Sequence, residues 1–387
     1  MPVLCPPRET KILPALLVAL VSLPAARAAL WEDPLWAVTG TAAATAGYDS
    51  NIFAVNSGPS DNFANFRPSV DLVRKDSPFT FDASAWASWT TFQRLTGDDS
   101  FDPGVKLTLG YPADTAQTIA TQSAEIHWFR DTAVDPDIGA RVSQDDAFAG
   151  YSGNLLDTGK LLVDGRGSFD RDQYLGAAYS TLDTGTLGAT ISYAPSELFK
   201  AGIGYDLTIG RSQPNASDYG ALDRTEQAVT LQAAGEFSPK VTGTASIGEA
   251  YSQYTGYFSH DDWDLVAGAD LTWKPRERLA IDLKVSRAPS FNADGDVDVN
   301  STVGLSVLQE LIGGFAVHAD GTVGRTSHEQ IVTYRTDEIE GAGAGLDYNL
   351  TGKLVATIGY EWTHQDSDIE RYTYQRHVVT GQIKYTF

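Results

Sequence analysis

Carboxylates set at alternate positions among aliphatic residues carry the clearest chemical consequence in this sequence. Asp282 and Lys284 interleave with Ile281, Leu283 and Val285, Asp206 stands between Tyr205 and Leu207, Asp270 between Ala269 and Leu271, and Glu361 between Tyr360 and Trp362. Asp71, Asp82, Asp164, Arg166, Asp320, Asp347 and Lys384 extend the pattern, together with Lys200, Lys353 and Arg376. Fixed charges spaced in this way line a wall that holds water and counter-ions, and an excess of carboxylates in a low-dielectric enclosure favours cations. The competing reading is that these groups pair with one another and brace neighbouring strands. Trp86 has the same register as the charges, where an aromatic ring either stacks on sugar faces or fills space in the wall.

Other residue types offer less. The histidines are His127, His260, His318, His328, His364 and His377, and His260-Asp261-Asp262 is the most suggestive group. No spacing aligns a nucleophile with an oriented base, so no catalytic residue is expected. Asp98-Asp99-Ser100 and Asp261-Asp262 supply oxygen ligands without a calcium-loop spacing, so no metal is expected. Gly341, Gly343 and Gly345 alternate with Ala inside a strand pattern and do not open a helix, so they form no phosphate loop and no cofactor is expected.

The element that positions the charges is a strand, because apolar residues recur at every second place. One face of Trp263 to Trp273 reads Trp263, Leu265, Ala267, Ala269, Leu271, Trp273, and Ala201, Ile203, Tyr205, Leu207, Ile209 and Leu354, Ala356, Ile358, Tyr360, Trp362 repeat the theme. A tilted strand crosses a bilayer in about 9 to 11 residues with aromatic residues at both interfaces. The chain holds 8 Trp, 17 Tyr and 16 Phe against a single Met, which suits a surface that wants interfacial rings. Tight polar turns stand at Lys75 to Pro78, Pro112 to Asp114, Asp157 to Gly159, Pro195 to Glu197, Ser238 to Lys240, Pro275 to Glu277, Gly313-Gly314 and Thr351 to Lys353. Longer polar connections fall between them, such as Asn56 to Asp61, Arg94 to Ser100, Ser212 to Gly220, Tyr254 to Asp261 and Gln365 to Ile369. Short turns at one rim and longer loops at the other predict a single closed antiparallel transmembrane β-barrel of about 18 strands, with 16 also compatible. The first strand lies near Trp36 to Tyr48 and the last near Tyr372 to Phe387. Loops of this length predict an open lumen, or one partly constricted if a loop folds inward.

Residues 1–28 read as a secretory signal peptide: Arg8 and Lys11, the apolar run Ile12 to Pro24, then Ala26-Arg27-Ala28 before the cut. Residues 29–387 form the barrel. The one cysteine, Cys5, lies in the leader, which leaves no thiol chemistry for the exported part. The net charge is −22 for all 387 residues, and removing three leader cations and one anion makes it −24. Such a chain is a poor nucleic-acid binder. Outer-membrane lipid is the expected partner.

The last strand alternates Val379, Gly381, Ile383, Tyr385, Phe387 with polar residues, and its terminal aromatic resembles the signal by which the barrel-assembly machinery reads its substrates. After the first strand stands Gly47-Tyr48-Asp49-Ser50-Asn51-Ile52-Phe53. Its Tyr48, Asp49 and Asn51 resemble the tyrosine-aspartate-x-asparagine signature of the putative beta-barrel porin 2 family. That resemblance implies a barrel of the Gram-negative outer membrane, reached by the general secretory pathway. It further implies passage of a secreted polysaccharide or another polar solute, beside a periplasmic export partner. A non-transporting barrel acting as adhesin or scaffold is the alternative. From the residues themselves, Asp49 and Asn51 suit an Asx-type turn in the first outer loop.

Overall fold

The computed structural model describes residues 30–74, 78–111, 122–176, 179–214, 221–256, 259–292, 297–329 and 334–387. The expected leader, residues 75–77 of the turn expected at Lys75 to Pro78, and the turn expected at 112–114 lie outside them. A short β1 (Trp31–Glu32) precedes β2 (Trp36–Asp49), β3 (Asp61–Arg74), β4 (Thr80–Phe92), β5 (Ser100–Tyr111), β6 (Gln122–Asp135) and β7 (Ala140–Asp157). There follow β8 (Leu161–Tyr174), β9 (Ser180–Ser196), β10 (Phe199–Pro214), β11 (Leu222–Ser238), β12 (Val241–Gly256) and β13 (His260–Arg276). The last six are β14 (Leu279–Phe291), β15 (Val297–Glu310), β16 (Phe315–Glu329), β17 (Tyr334–Asn349), β18 (Leu354–Ser367) and β19 (Tyr374–Thr386). Besides these, the described residues contain only two single-turn 3₁₀ segments, Thr96–Asp98 and Glu370–Tyr372.

Each strand from β2 to β19 pairs antiparallel with its sequence neighbour, and β19 pairs with β2, so the 18 strands form a closed ring. β1 lies outside the ring and pairs only with the start of β2, through Trp31 opposite Val38. Closure leaves no open edge, which is the condition for a sheet to stand in hydrocarbon. Both ends of the ring lie at one rim, named the inner rim below.

The register carries the period-two pattern unbroken around the circuit. Thr272, Asp282, Ser306, Asp320, Gly343, Glu361, Val378, Asp49 and Asp61 stand opposite one another in turn, from β13 to β3. Asp282 is near the inner end of its strand and Asp49 is the outer end of β2, so one row climbs from rim to rim. That climb is the strand tilt which closing a barrel requires. The other face of the ring carries exposed Ile203, Leu231, Ile247, Leu305, Val323, Ile358 and Val379. Large apolar residues turned outward in this number mark a surface meant for lipid rather than water.

The ring strands are 12 to 18 residues long, more than a bilayer crossing needs. On β10 the outward residues are apolar through Ile209 and then become Arg211 and Gln213, and on β16 they change after Val323 to Arg325 and Ser327. The ladder therefore continues past the apolar band at the outer rim. There outward ion pairs such as Arg171 with Asp183 (3.5 Å) and Arg211 with Asp223 (3.4 Å) replace aliphatic contacts. Much of what the sequence suggests as outer loop is this extended strand: β18, for example, runs to Ser367.

A lysine at Ile358, which is 66% exposed on the outward face, is expected to cost about 2–4 kcal/mol in urea unfolding from lipid vesicles. Thr380→Lys, on the opposite face of the neighbouring strand, is expected to leave the midpoint nearly unchanged. Equal losses at the two positions would contradict this assignment of the faces.

Candidate functional site

Contacts between strands that are not neighbours identify the inner face. Lys200 of β10 reaches Asp164 of β8 (Nζ to Oδ2, 2.9 Å), and Arg166 of β8 donates through Nε to Asp206 of β10 (2.9 Å), each passing over β9. Gly188 of β9 lies beneath the second pair, where a Cβ would overlap both side chains. A glycine in this place opens the path for a long side chain to cross a strand.

The register puts Asp71, Asp82, Trp86, Asp164, Arg166, Asp206, Asp270, Asp282, Lys284, Asp320, Asp347, Glu361 and Lys384 all on this same face. Arg376 shares it, opposite Thr363, whereas Lys353 stands in the turn ahead of β18. The structure brings some of these groups together in pairs. Asp282 accepts a hydrogen bond from Thr272 (2.5 Å), Asp347 accepts one from Thr357 (2.7 Å) and also faces His318 (3.5 Å), and Asp270 stands opposite Lys284. Asp320 lies over Gly343, the residue that separates it from Glu361 in the climbing row. Trp86 lies over Gly104 and has the Arg67 guanidinium 5.6 Å from its ring centroid.

A second polar group occupies the outer half of the same face, and the sequence pattern did not single it out. Arg224 pairs with Glu226, which also accepts from Ser252 Oγ (3.3 Å), and Arg287 faces Asp264 (3.7 Å). His328 is held between Asp298 (2.8 Å) and Asp337 (3.0 Å), and Arg335 contacts Asp337 (3.0 Å) and Asp137. Arg224, Glu226, Asp264, Asp298, His328, Arg335 and Asp337 are all buried. Buried charges persist only when paired in this way. Their alternation is hard to read in sequence because their neighbours, such as Thr225, Gln227, Arg325 and Ser327, are polar as well.

These charges are buried because chain folds inward above them. Beyond Arg287, β14 leaves β13 but stays paired with β15, and the end of this hairpin leans across the lumen. Arg224 of β11 donates to the Pro289 carbonyl (3.3 Å), and Val297 packs with Leu222 of β11, Tyr254 of β12 and Phe291. From the far side, the turn between β6 and β7 reaches Arg335 of β17 through Asp137, while Gly139 touches Val55 of the β2–β3 connection. Arg335 also lies 3.9 Å from the ring centroid of Tyr372. Among the described residues the outer mouth is thus narrowed by three inward segments, while the inner half has no such crossing contact.

Two groups bring three possible ligand atoms within 4.8 Å of one another: Asp137, Asp298 and His328, and Asp146, Asp170 and Asp172. In the first the Arg335 guanidinium already compensates the carboxylates, which leaves a second cation little to gain. In the second, Asp172 accepts from Gln144 and Asp146 lies 2.8 Å from His127.

The Gly47 to Phe53 motif sits where the ring closes. Tyr48 points outward opposite Val379 and is exposed, whereas Asp49 points inward and is buried. Asp49 Oδ1 accepts the Asn51 amide (2.9 Å), and its Oδ2 accepts from Arg376 Nε (2.9 Å). Asn51 donates to the carbonyls of Val55 (2.8 Å) and Gln375 (3.2 Å), and Ser50 and His377 exchange hydrogen bonds of 2.9 and 2.8 Å. The motif therefore clasps the first strand to the last above their ladder, and it folds the β2–β3 connection over Ile52, which is 1% exposed. At the other end of the seam Tyr385 is buried against Ala42, edge-on to Phe387 (5.0 Å), whose amide bonds Gly40 (2.8 Å).

Residues 212–387 match the family model described as Putative beta-barrel porin 2, a family of outer-membrane porin-like barrels. The Gly47 to Phe53 motif lies ahead of the matched stretch. No curated protein matches the chain. Among solved structures it is similar to the FrpB iron transporter from Neisseria meningitidis (F3-3 variant), at 12% identity and a TM-score of 0.46, covering 86% of this chain and 62% of that one. It is also similar to OccAB4 of Acinetobacter baumannii, at 12% identity and a TM-score of 0.48 over 90% and 98% of the two chains. OpdL of Pseudomonas aeruginosa gives 12% and 0.48 over 91% and 98%. None of these three scores reaches 0.5, and the architecture rests on the strand pairing itself.

Replacing Asp49 with Ala leaves Arg376 without its partner and removes the acceptor for the Asn51 amide, which is expected to cost about 2 kcal/mol. Urea unfolding followed by the heat-sensitive gel migration of folded barrels measures this. Tyr48→Ala, at an exposed position, is expected to move the midpoint far less.

Proposed function

We propose, for a chain whose residues 212–387 match the Putative beta-barrel porin 2 family, that it is an outer-membrane channel passing a secreted polysaccharide or another polar solute through an acidic lumen. The observation that carries this reading is the two-sidedness of the closed ring: charged and hydroxylated side chains share the inner face while large aliphatic residues cover the outer one. Polar groups enclosed by apolar strands are stable only if water fills the space between them. The family resemblance supports a polysaccharide as the solute.

The inner half supports selectivity. Asp270, Asp282 and Asp320 stand there, with Glu361 above them at mid-height, and with fewer basic partners, so their field attracts cations and opposes anions. Neutral or cationic chains fit such a lumen better than polyanions. The inward segments of the outer mouth lie in the path of any solute, so passage requires their displacement, and a periplasmic partner that delivers the chain would act from the unobstructed inner rim. The barrel-assembly machinery, reading the Tyr385 and Phe387 terminus, would insert the chain by the general route for such barrels.

Purified protein in planar bilayers is expected to give discrete conductance steps whose reversal potential in a salt gradient has the sign of cation preference. Neutralising Asp270, Asp282 and Asp320 to Asn together should move that potential toward zero. The absence of any step would reject the channel and leave a scaffold or adhesin; an anion-selective potential would reject the acidic lumen. Deletion of the gene is expected to lower surface polysaccharide, and unchanged secretion would remove that solute.

A further inference from the structure

The inner wall carries a row of rings at mid-height of β4, β6 and β7 that ion pairing and solvation do not account for. Trp86, Gly104 and Phe129 face one another across β4, β5 and β6, and Lys106, His127 and Phe148 form the next row along β5, β6 and β7. The ring centroids run from Trp86 to Phe129 at 6.4 Å, from Phe129 to His127 at 5.4 Å and from His127 to Phe148 at 4.9 Å. All four residues are half-buried, so part of each ring faces the lumen.

Three features fix this row of rings on the lumen wall. Gly104 lies under the indole of Trp86 and Gly150 under the ring of Phe148, and at both places a Cβ would collide with the ring. With no side chain at these two glycines, the rings have room against the wall. His127 is fixed at both nitrogens, Nδ1 at 3.0 Å from Glu125 and Nε2 at 2.8 Å from Asp146, and its plane is within 14° of that of Phe148. Around the row stand hydrogen-bonding groups: Arg67 beside Trp86, Lys106 paired with Glu125 (2.8 Å), and Asn65 bonded to Ser88 (2.6 Å) and Thr90 (2.9 Å).

Half-exposed rings on an otherwise polar, water-facing wall suit a partner that has one apolar face and a polar edge. A pyranose ring has that form: its axial C–H groups present a weakly positive face to an aromatic ring, while its equatorial hydroxyls extend sideways to charged groups. We infer that Trp86, Phe129, His127 and Phe148 form a binding track for successive pyranose rings of an oligosaccharide inside the lumen. The inference rests on the channel reading for its route of access and specifies the solute class that the route serves. Trp86 and Phe148 anchor the two ends, and Arg67, Lys106, Glu125 and Asp146 receive the hydroxyls.

Titration calorimetry of the full-length refolded barrel in detergent, with cellohexaose and with maltohexaose, tests this directly. At least one hexasaccharide is expected to bind saturably and to change the tryptophan fluorescence. The double variants Trp86→Ala/Phe148→Ala and Trp86→Leu/Phe148→Leu, the second keeping bulk without rings, are each expected to lose about tenfold or more in affinity while retaining the gel migration of the folded barrel. No saturable binding of either sugar to the unaltered protein, or equal binding by a folded Leu variant, would overturn the track. Conductance steps without sugar binding would refute the track and leave the channel intact. Sugar binding without conductance would support the track and refute the channel.

Discussion

The hydrogen-bond ladder between the first and last strands of the ring is the constraint on which the rest depends. In hydrocarbon every backbone N–H and C=O must find a partner within the protein, and a sheet meets that demand only by closing on itself. Here closure joins residues more than three hundred positions apart, Asp49 opposite Val378 and Thr41 opposite Thr386. Such a contact is the last to repay its loop-closure entropy. The clasp of Asp49 with Arg376 and of Asn51 with the Gln375 carbonyl, together with Tyr385 and Phe387 at the inner end, places side-chain interactions at both ends of the pair of strands with the least local help.

Once the ring is closed, its tilt decides which residues are neighbours. A row that begins at Asp282 near the inner rim arrives at Asp49 near the outer one, so residues paired in succession around the ring do not stand at one depth. The same geometry brings alternate strands close on the concave side. There Arg166 and Lys200 reach across β9, and Gly188 on the intervening strand makes room for the Arg166 pair. Glycine has a second use beneath Trp86 and Phe148, where it lets rings rest on the wall. In both cases a residue that weakens a strand in isolation supports an arrangement of its neighbours.

The two halves of the inner face differ in what surrounds their charges. Toward the inner rim the carboxylates are paired singly with a hydroxyl or one basic group and stand in open space. Toward the outer rim the charges are buried in networks, because the β14–β15 hairpin and the β6–β7 turn fold over them. Among the described residues the outer end is thus narrowed by contacts from opposite sides of the ring, Arg335 among them. The strands rise beyond the apolar band to provide the frame for those contacts.

Alternation and turn spacing determined much of this protein: the strands, their two faces and the antiparallel ring of about 18 strands. Period two is a local property, written in each segment without reference to any other, and the apolar requirement of one face makes it visible. The sequence also marked Asp49 and Asn51 as turn formers, since an Asx turn needs only the two residues that follow. Tertiary structure alone decided the pairings across β9, the inward fold of the outer segments and the grouping of Trp86 with Phe129, His127 and Phe148. These depend on the tilt and curvature of a closed ring, which arise when distant strands meet. The buried outer charges stayed hidden for a related reason: beyond the lipid band both faces of a strand are polar, so the period that identified the rest of the wall has nothing to contrast with.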